Sequence, residues 1–327
     1  MNPQRPRPSS RASSSIAGAP TTGLSPHGAH LERSAAGHPV VRPSLIATDL
    51  DGTVISYRHT RTGHISQRTI EAFTAAREAG IQVVFVTGRP MRWLSGLADT
   101  LGQAGPIICS NGAVIYDVVA DKVIEAHPMA GETVRTVHEL ISASVPHTSF
   151  GLETLSGFVM ETELYESSRR SRRQHPESPD DDTAAPEFTL ADPVISALGE
   201  HPEVVKFLVK AAEVQPDSFL ATVRGLVGEL VSVTHSAPGL PLLEISRPDV
   251  NKALTLADYT NSLGVAAEEV AAFGDMLNDL EMITWAGTGY AVASAHPQLI
   301  DAADAVAGAC DDDGVARAIE HLITLPT

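Results

Sequence analysis

Short apolar runs alternate with longer segments of helical period along most of this chain. Leu45-Ile46-Ala47, Ile81 to Val86, Pro106 to Cys109, Val270 to Phe273 and Tyr290 to Ala293 are compact, apolar and partly β-branched, and each reads as a buried strand. The stretch Ser66 to Ala79 reads as a helix. Ser66 is placed to cap it, Ile70 and Phe73 share one face, and Gly80 ends it. Pro90 is placed to start the next helix. Strands separated by helices predict βαβ units, hence an α/β fold with a parallel sheet.

The middle of the chain breaks this rhythm. Strand-like segments lie at Phe158-Val159-Met160, Val204 to Val209, Leu230 to Val233 and Leu242 to Ile245, with helices predicted over Glu132 to Ser142 and Pro216 to Val227. We read residues 115–248 as an α/β module inserted into a first domain made of 44–114 and 249–327. Within it, Arg169-Arg170-Ser171-Arg172-Arg173 followed by Asp180-Asp181-Asp182 has no apolar spacing. It predicts an exposed, mobile loop near 167–187, with a basic partner-binding patch as the alternative.

Residues 1–43 have no apolar periodicity and are rich in Pro, Ser, Arg and Gly, so they read as a disordered tail, or as sequence upstream of the true start. The tail is basic, with Arg5, Arg7, Arg11, Arg33 and Arg42 against Glu32, whereas the chain as a whole carries −17 over 327 residues. That balance argues against nucleic acid as a partner. No apolar stretch approaches a membrane span. Two cysteines, Cys109 and Cys310, are too few for a disulfide framework and fit a reducing, cytoplasmic setting. Nothing in the pattern bears on oligomeric state.

Polar residues cluster where strands end. Asp49-Leu50-Asp51-Gly52-Thr53 follows the first strand, Thr87-Gly88-Arg89 the second, and Gly274-Asp275-Met276-Leu277-Asn278-Asp279 the strand ending at Phe273; Lys252 opens a helix running to about Gly264. Ligands bind beyond the carboxyl ends of such strands. The residue types fit phosphoryl transfer. Asp49 can attack phosphorus, and Asp51 can exchange protons with the leaving group and with water. Carboxylates such as Asp275 suit Mg²⁺, and Thr87 and Lys252 can hold phosphoryl oxygens. Asn278 and Asp279 can orient a phosphate oxygen, a metal-bound water or Lys252. Arg89 reads either as a substrate contact or as a salt bridge to the core. His59, His64, His127 and His296 lack metal-ligand spacing, and Trp93 and Trp285 read as packing residues.

The combination Asp-x-Asp-Gly-Thr, Thr-Gly-Arg, Lys and Gly-Asp-x-x-Asn-Asp resembles the haloacid dehalogenase superfamily. More narrowly it resembles the Cof-type phosphatases, whose α/β cap lies between the second and third motifs. Ser110-Asn111-Gly112-Ala113 and the stretches Ala286 to Ala293 and Asp313 to Ala316 are also similar to that group. Lys252-Ala253 replaces a frequent Lys-Gly, and Ala293-Ser294-Ala295-His296 stands where the family often has Met-Gly-Asn-Ala.

The resemblance implies a Rossmann-like core with an inserted cap and a Mg²⁺-dependent phosphomonoester hydrolase working through an aspartyl phosphate. In it, Asp49 is the nucleophile and Asp51 the general acid/base. The metal lies on the Asp49 side chain, the Asp51 backbone carbonyl and Asp275. Thr87, Gly88, Lys252 and Asn278 hold phosphate, Asp279 lies in the outer sphere, and Asn111 lies near the substrate. The expected partner is a small phosphate ester, a sugar phosphate or a phosphorylated cofactor. The alternatives are a phosphomutase of the same fold, a dedicated sugar-phosphate phosphatase, and a non-catalytic binding module.

Overall fold

The computed structural model describes residues 41–326 except 61, 95, 98–99, 101–104, 175–187 and 236–238. Residues 1–40 of the expected tail therefore lie outside the described residues. Among those described, the strands form two sheets.

The first sheet is built on β1 (Leu45–Thr48), every residue of which is buried. On one side β1 pairs in parallel with β12 (Val270–Gly274), and beyond it lie β13 (Thr288–Val292) and β14 (Ala305–Ala307). On the other side lie β2 (Gln82–Val86) and β3 (Pro106–Cys109), also parallel. The antiparallel strands β4 (Val114–Asp117) and β5 (Lys122–Ala126) complete the sheet, in the order β14-β13-β12-β1-β2-β3-β4-β5. The expected cap boundary at residue 115 is thereby corrected. The chain turns back on β3 and stays in the core sheet to Ala126, because Val114 and Ile115 alternate into the same apolar core as β3.

Helix α1 (Gln67–Glu78) forms as its sequence predicts. The Ser66 side chain accepts from the Thr69 N–H, and Gly80 at φ +82° ends the run in a conformation that side chains resist. Its buried face, Thr69, Ala72, Phe73 and Ala76, lies on the sheet, where the Phe73 ring meets Phe85 edge-on at 5.2 Å. After Pro90 the chain makes a single 3₁₀ turn, Met91–Trp93. Trp93 is about half exposed, at 48%, and packs beneath the Arg92 guanidinium.

The second sheet has the order β10-β11-β9-β6-β7-β8. It comprises β6 (Thr148–Thr154), β7 (Gly157–Met160), β8 (Phe188–Leu190), β9 (Val204–Ala211), β10 (Ser232–His235) and β11 (Leu242–Ser246). Helices α2 (Gly131–Ser144) and α4 (Pro216–Val227) cover one face, burying Val134, Val137, Ile141, Phe219 and Val223 against Phe207 and Val209. The sequence places both helices within two residues of their observed ends.

The polar stretch expected to be a loop is corrected in part. Thr162–Gln174 is a helix, α3, and Leu164 packs on Gly151 of β6; the rest of the run, 175–187, lies outside the described residues. Arg169 and Arg170 pair with Glu166 and Glu163 on the same helix, so charge that looks loop-like in one dimension is matched at helical spacing. Each sheet has its own apolar cluster, one for the core and one for the inserted cap.

Candidate active site

The three strand-end clusters and Lys252 meet at one place. The Asp49 N–H still bonds Phe273 O at 3.0 Å, so Asp49 leaves β1 beside the end of β12. The chain then folds into a tight loop, with Val54 and Ile55 N–H groups on Leu50 O and the Gly52 N–H on Ile55 O at 2.7 Å. Gly52 has φ +84°. A Cβ there would lie 2.2 Å from Asp275 Oδ2, so the close approach of this loop to Asp275 needs glycine on both counts.

Lys252 is the first residue of α5 (Lys252–Ser262), whose N-terminus is capped by Asn251 accepting from Leu254 N–H. Its side chain is 1% exposed and donates to Asp49 Oδ1 at 2.5 Å and to Asp279 Oδ1 at 2.6 Å. Asp279 Oδ2 accepts from the N–H groups of Asp275 and Met276, both at 3.0 Å. Asp279 is therefore fully committed: it fixes the loop after β12 and anchors the lysine. Asp275 receives the Tyr57 hydroxyl at 2.6 Å, and Thr53 Oγ1 bridges Asp49 and Asp275 at 3.4 Å each.

The carboxylates of Asp49, Asp275 and Asp279 are all buried, with ligand oxygens within 4.8 Å of one another. One ammonium cannot neutralise three buried carboxylates. Burial pushes the Asp49 carboxyl up to about 7 despite Lys252, with Asp279 adding to the rise; burial, Asp49 and Asp279 push Asp275 up to about 8. Burial alone would lower Lys252, but Asp279 and Asp49 outweigh it and hold the lysine charged. A crowded set of hard oxygen donors short of positive charge is the chemistry of a divalent cation site.

The remaining expected residues surround this cluster without all entering it. Asp51 does not bring its carboxylate to the other three. Arg89 holds it through two bonds of 2.7 and 2.6 Å and also donates to Thr60 O. Thr87 is buried and its hydroxyl accepts from the Arg89 N–H. The Gly88 carbonyl accepts from Lys206 of the cap at 2.7 Å. Asn278 turns to Asn111, not to Lys252, donating to its Oδ1 at 3.0 Å; Asn111, at φ +56°, donates in turn to Glu244 of the cap at 2.6 Å.

Sequence reasoning placed Thr53 in its motif without a role of its own, and missed Tyr57, Lys206 and Glu244. The last two did carry a signal, each being a charge inside an otherwise apolar strand run. Of Tyr57 the sequence gives no sign.

The family model for haloacid dehalogenase-like hydrolases matches residues 46–319. The pyridoxal phosphate phosphatase YbhA of Escherichia coli is 31% identical over 294 residues, covering 85% of this chain and 98% of that protein. The 5-amino-6-(5-phospho-D-ribitylamino)uracil phosphatase YcsE of Bacillus subtilis is 28% identical, covering 85% and 95%. A crystal structure of a haloacid dehalogenase-like hydrolase from Bacteroides thetaiotaomicron superposes with a TM-score of 0.66 at 27% identity, covering 86% of this chain and 99% of that one. The chain belongs to the haloacid dehalogenase-like hydrolase family.

Proposed function

We infer that this haloacid dehalogenase-like phosphatase hydrolyses small phosphorylated metabolites by passing the phosphoryl group through Asp49. The observation that carries the reading is the buried Lys252, clamped between Asp49 and Asp279 with Asp275 beside them, at the ends of two adjacent central strands. A phosphomonoester dianion needs cationic partners, and this pocket supplies one ammonium and a donor set short of one divalent charge.

The donor set fits Mg²⁺: the Asp49 and Asp275 carboxylates and the Asp51 backbone carbonyl would hold it, and when bound it neutralises and orients the phosphate. Asp279 stays outside that set because both of its oxygens are already engaged.

In the first step the Asp49 carboxylate attacks phosphorus, the bond from phosphorus to the leaving oxygen breaks, and Asp51 gives that oxygen its proton. In the second, water attacks the same phosphorus, Asp51 takes the water's proton, and the Asp49–phosphorus bond breaks to release orthophosphate. Asp51 exchanges Arg89 for the leaving-group oxygen in this scheme, while Arg89 keeps the Thr60 carbonyl. Lys252, Thr87, Gly88 and Asn278 hold the phosphoryl oxygens, and Lys252 also keeps Asp49 aimed.

The relatives named above act on a phosphorylated cofactor and on a phosphorylated ribitylamino-uracil, which supports sugar phosphates and phosphorylated cofactors as the substrate class. A panel of such esters, assayed for orthophosphate release with and without Mg²⁺, tests the reading. Turnover is expected for a subset and only with the metal. Asp49→Asn is expected to lower turnover about 10⁴-fold or more on an aryl phosphate. Retained activity in that variant would remove Asp49 as the nucleophile.

A further inference from the structure

The cap touches the phosphate-holding loops through a chain of charges that the chemistry above does not use. The face of the second sheet turned away from α2 and α4 carries Glu153, Lys206 and Glu244. Glu153 and Lys206 are direct neighbours across β6 and β9. Glu153 takes Arg92, four residues after Gly88, in three bonds of 2.9 to 3.1 Å. Lys206, 5% exposed, reaches the Gly88 carbonyl and, at 2.7 Å, Glu244 Oε2. The same Glu244 oxygen accepts from Asn111 Nδ2, and Asn111 Oδ1 accepts from Asn278 Nδ2.

The direction of these bonds matters. An amide can present its oxygen or its nitrogen to a neighbour, and nothing inside the Asn111–Asn278 pair decides which. A carboxylate accepts only. Glu244 therefore forces Asn111 to point its nitrogen at the cap and its oxygen at Asn278, and Asn278 must then spend one N–H on Asn111. Asn111 has little room to answer otherwise: its backbone is left-handed, and a Cβ on Gly88 would come within 3.1 Å of its Oδ1. Lys206 pairs with Glu244 and holds it in place, and it binds the Gly88 carbonyl only when the cap lies on the core.

We propose that Glu244, held by Lys206, is a positioning residue of the cap that sets the side-chain orientation of Asn278 through Asn111, so that the phosphate pocket is complete only with the cap docked. This rests on the reading of Asn278 as a phosphate-holding residue. It assigns the cap a part in phosphate binding, separate from any contact with the leaving group.

The test uses the full chain loaded with Mg²⁺ and orthophosphate as the probe. Affinity is read by calorimetry and by competitive inhibition of aryl-phosphate hydrolysis. Glu244→Ala should weaken orthophosphate binding on the order of tenfold, the loss of one charge-assisted bond. Glu244→Gln, whose amide oxygen can accept from both Lys206 and Asn111, should restore it to within about threefold of the parent. In an Asn111→Ala background, Glu244→Ala should add less than a twofold loss.

Equal losses from Glu244→Ala in both backgrounds would overturn the proposal, as would unchanged affinity in a variant that melts as the parent does. If Glu244→Ala does not fold, the Gln variant and the side-chain amide signals of Asn111 and Asn278 decide. Slowed hydrogen exchange at both amides in the parent supports the proposal, and rapid exchange at both refutes it. Should the parent hydrolyse no ester at all, the phosphatase reading fails, while calorimetry and the amide signals still judge the positioning role.

Discussion

At the scale of single residues the site is a problem of excess negative charge solved with very few atoms. Gly52 is the least conspicuous part of the solution. With its Cβ position 2.2 Å from Asp275 Oδ2 and 2.6 Å from the Tyr57 ring, Gly52→Ala must displace the carboxylate that faces Asp49. It is expected to lower turnover on the order of 10²-fold, the effect of a misplacement near 1 Å, with a melting temperature that no longer rises on adding Mg²⁺. A variant that kept both would show that Asp275 has slack.

The raised carboxyls give a second expectation. Asp49 and Asp275 bind protons more tightly folded than unfolded, at about 7 and 8. Their contribution to stability is thus fully present near pH 4 and is lost as pH rises through 7 and 8. EDTA-treated protein should therefore be less stable at pH 8.5 than at pH 6. The rise in melting temperature on adding Mg²⁺ should be larger at pH 8.5, because the cation replaces those protons. An EDTA-treated form that gains stability across that window would contradict the assignment.

At the scale of elements, local chemistry explains both what the sequence discloses and what it hides. Helix α1 announces itself because its cap, apolar face and glycine stop agree. The cap is a measurable part of that: Ser66→Ala should cost about 1 kcal/mol, read as a lower melting temperature with unchanged turnover. Ser66 Oγ also bonds Asp313 Oδ1, which ties α1 to the start of the helix Gly314–Leu322. The core strands were legible because they are buried on both faces and so apolar throughout.

The strands that escaped notice are of another kind. Lys122–Ala126 is an edge strand with polar positions, and Thr148–Thr154 begins with Thr and Ser and holds Gly151 where Leu164 needs room. Helix α3 escaped because its mean character is polar, and only its paired charges mark it as helical. The site was legible for a different reason. Asp49, Lys252 and Asp275 sit at strand ends or a helix start, where position alone predicts convergence. Glu244 and Lys206 lie in mid-strand on the inserted sheet, and which face of that sheet meets the core is a property of packing that no local pattern encodes.

At the scale of the whole molecule, two apolar clusters are joined along a seam that is polar where it borders the site. Arg92, Glu153, Lys206 and Glu244 alternate in sign and are each at most 20% exposed. Separating the two bodies there would return charges to water, whose hydration offsets much of the attraction lost. Among the described residues no helix is long and apolar enough to cross a membrane.

The route by which the chain enters and leaves the cap has its own consequence. His127 N–H bonds Ala113 O on the way out, and on the way back the Asn251 carbonyl lies so near Gly112 that a Cβ there would sit 2.4 Å from it. Both crossings thus use one doorway two residues wide. The cap is an excursion that can be cut out: joining the chain near residue 128 directly to residue 250 through a short glycine-serine bridge should leave the first sheet and the carboxylate cluster intact. Such a shortened protein is expected to melt in a single transition and still to hydrolyse an aryl phosphate with Mg²⁺, but to bind orthophosphate on the order of tenfold more weakly and to treat large and small metabolite esters alike. If it cannot fold alone, the larger body depends on its lodger.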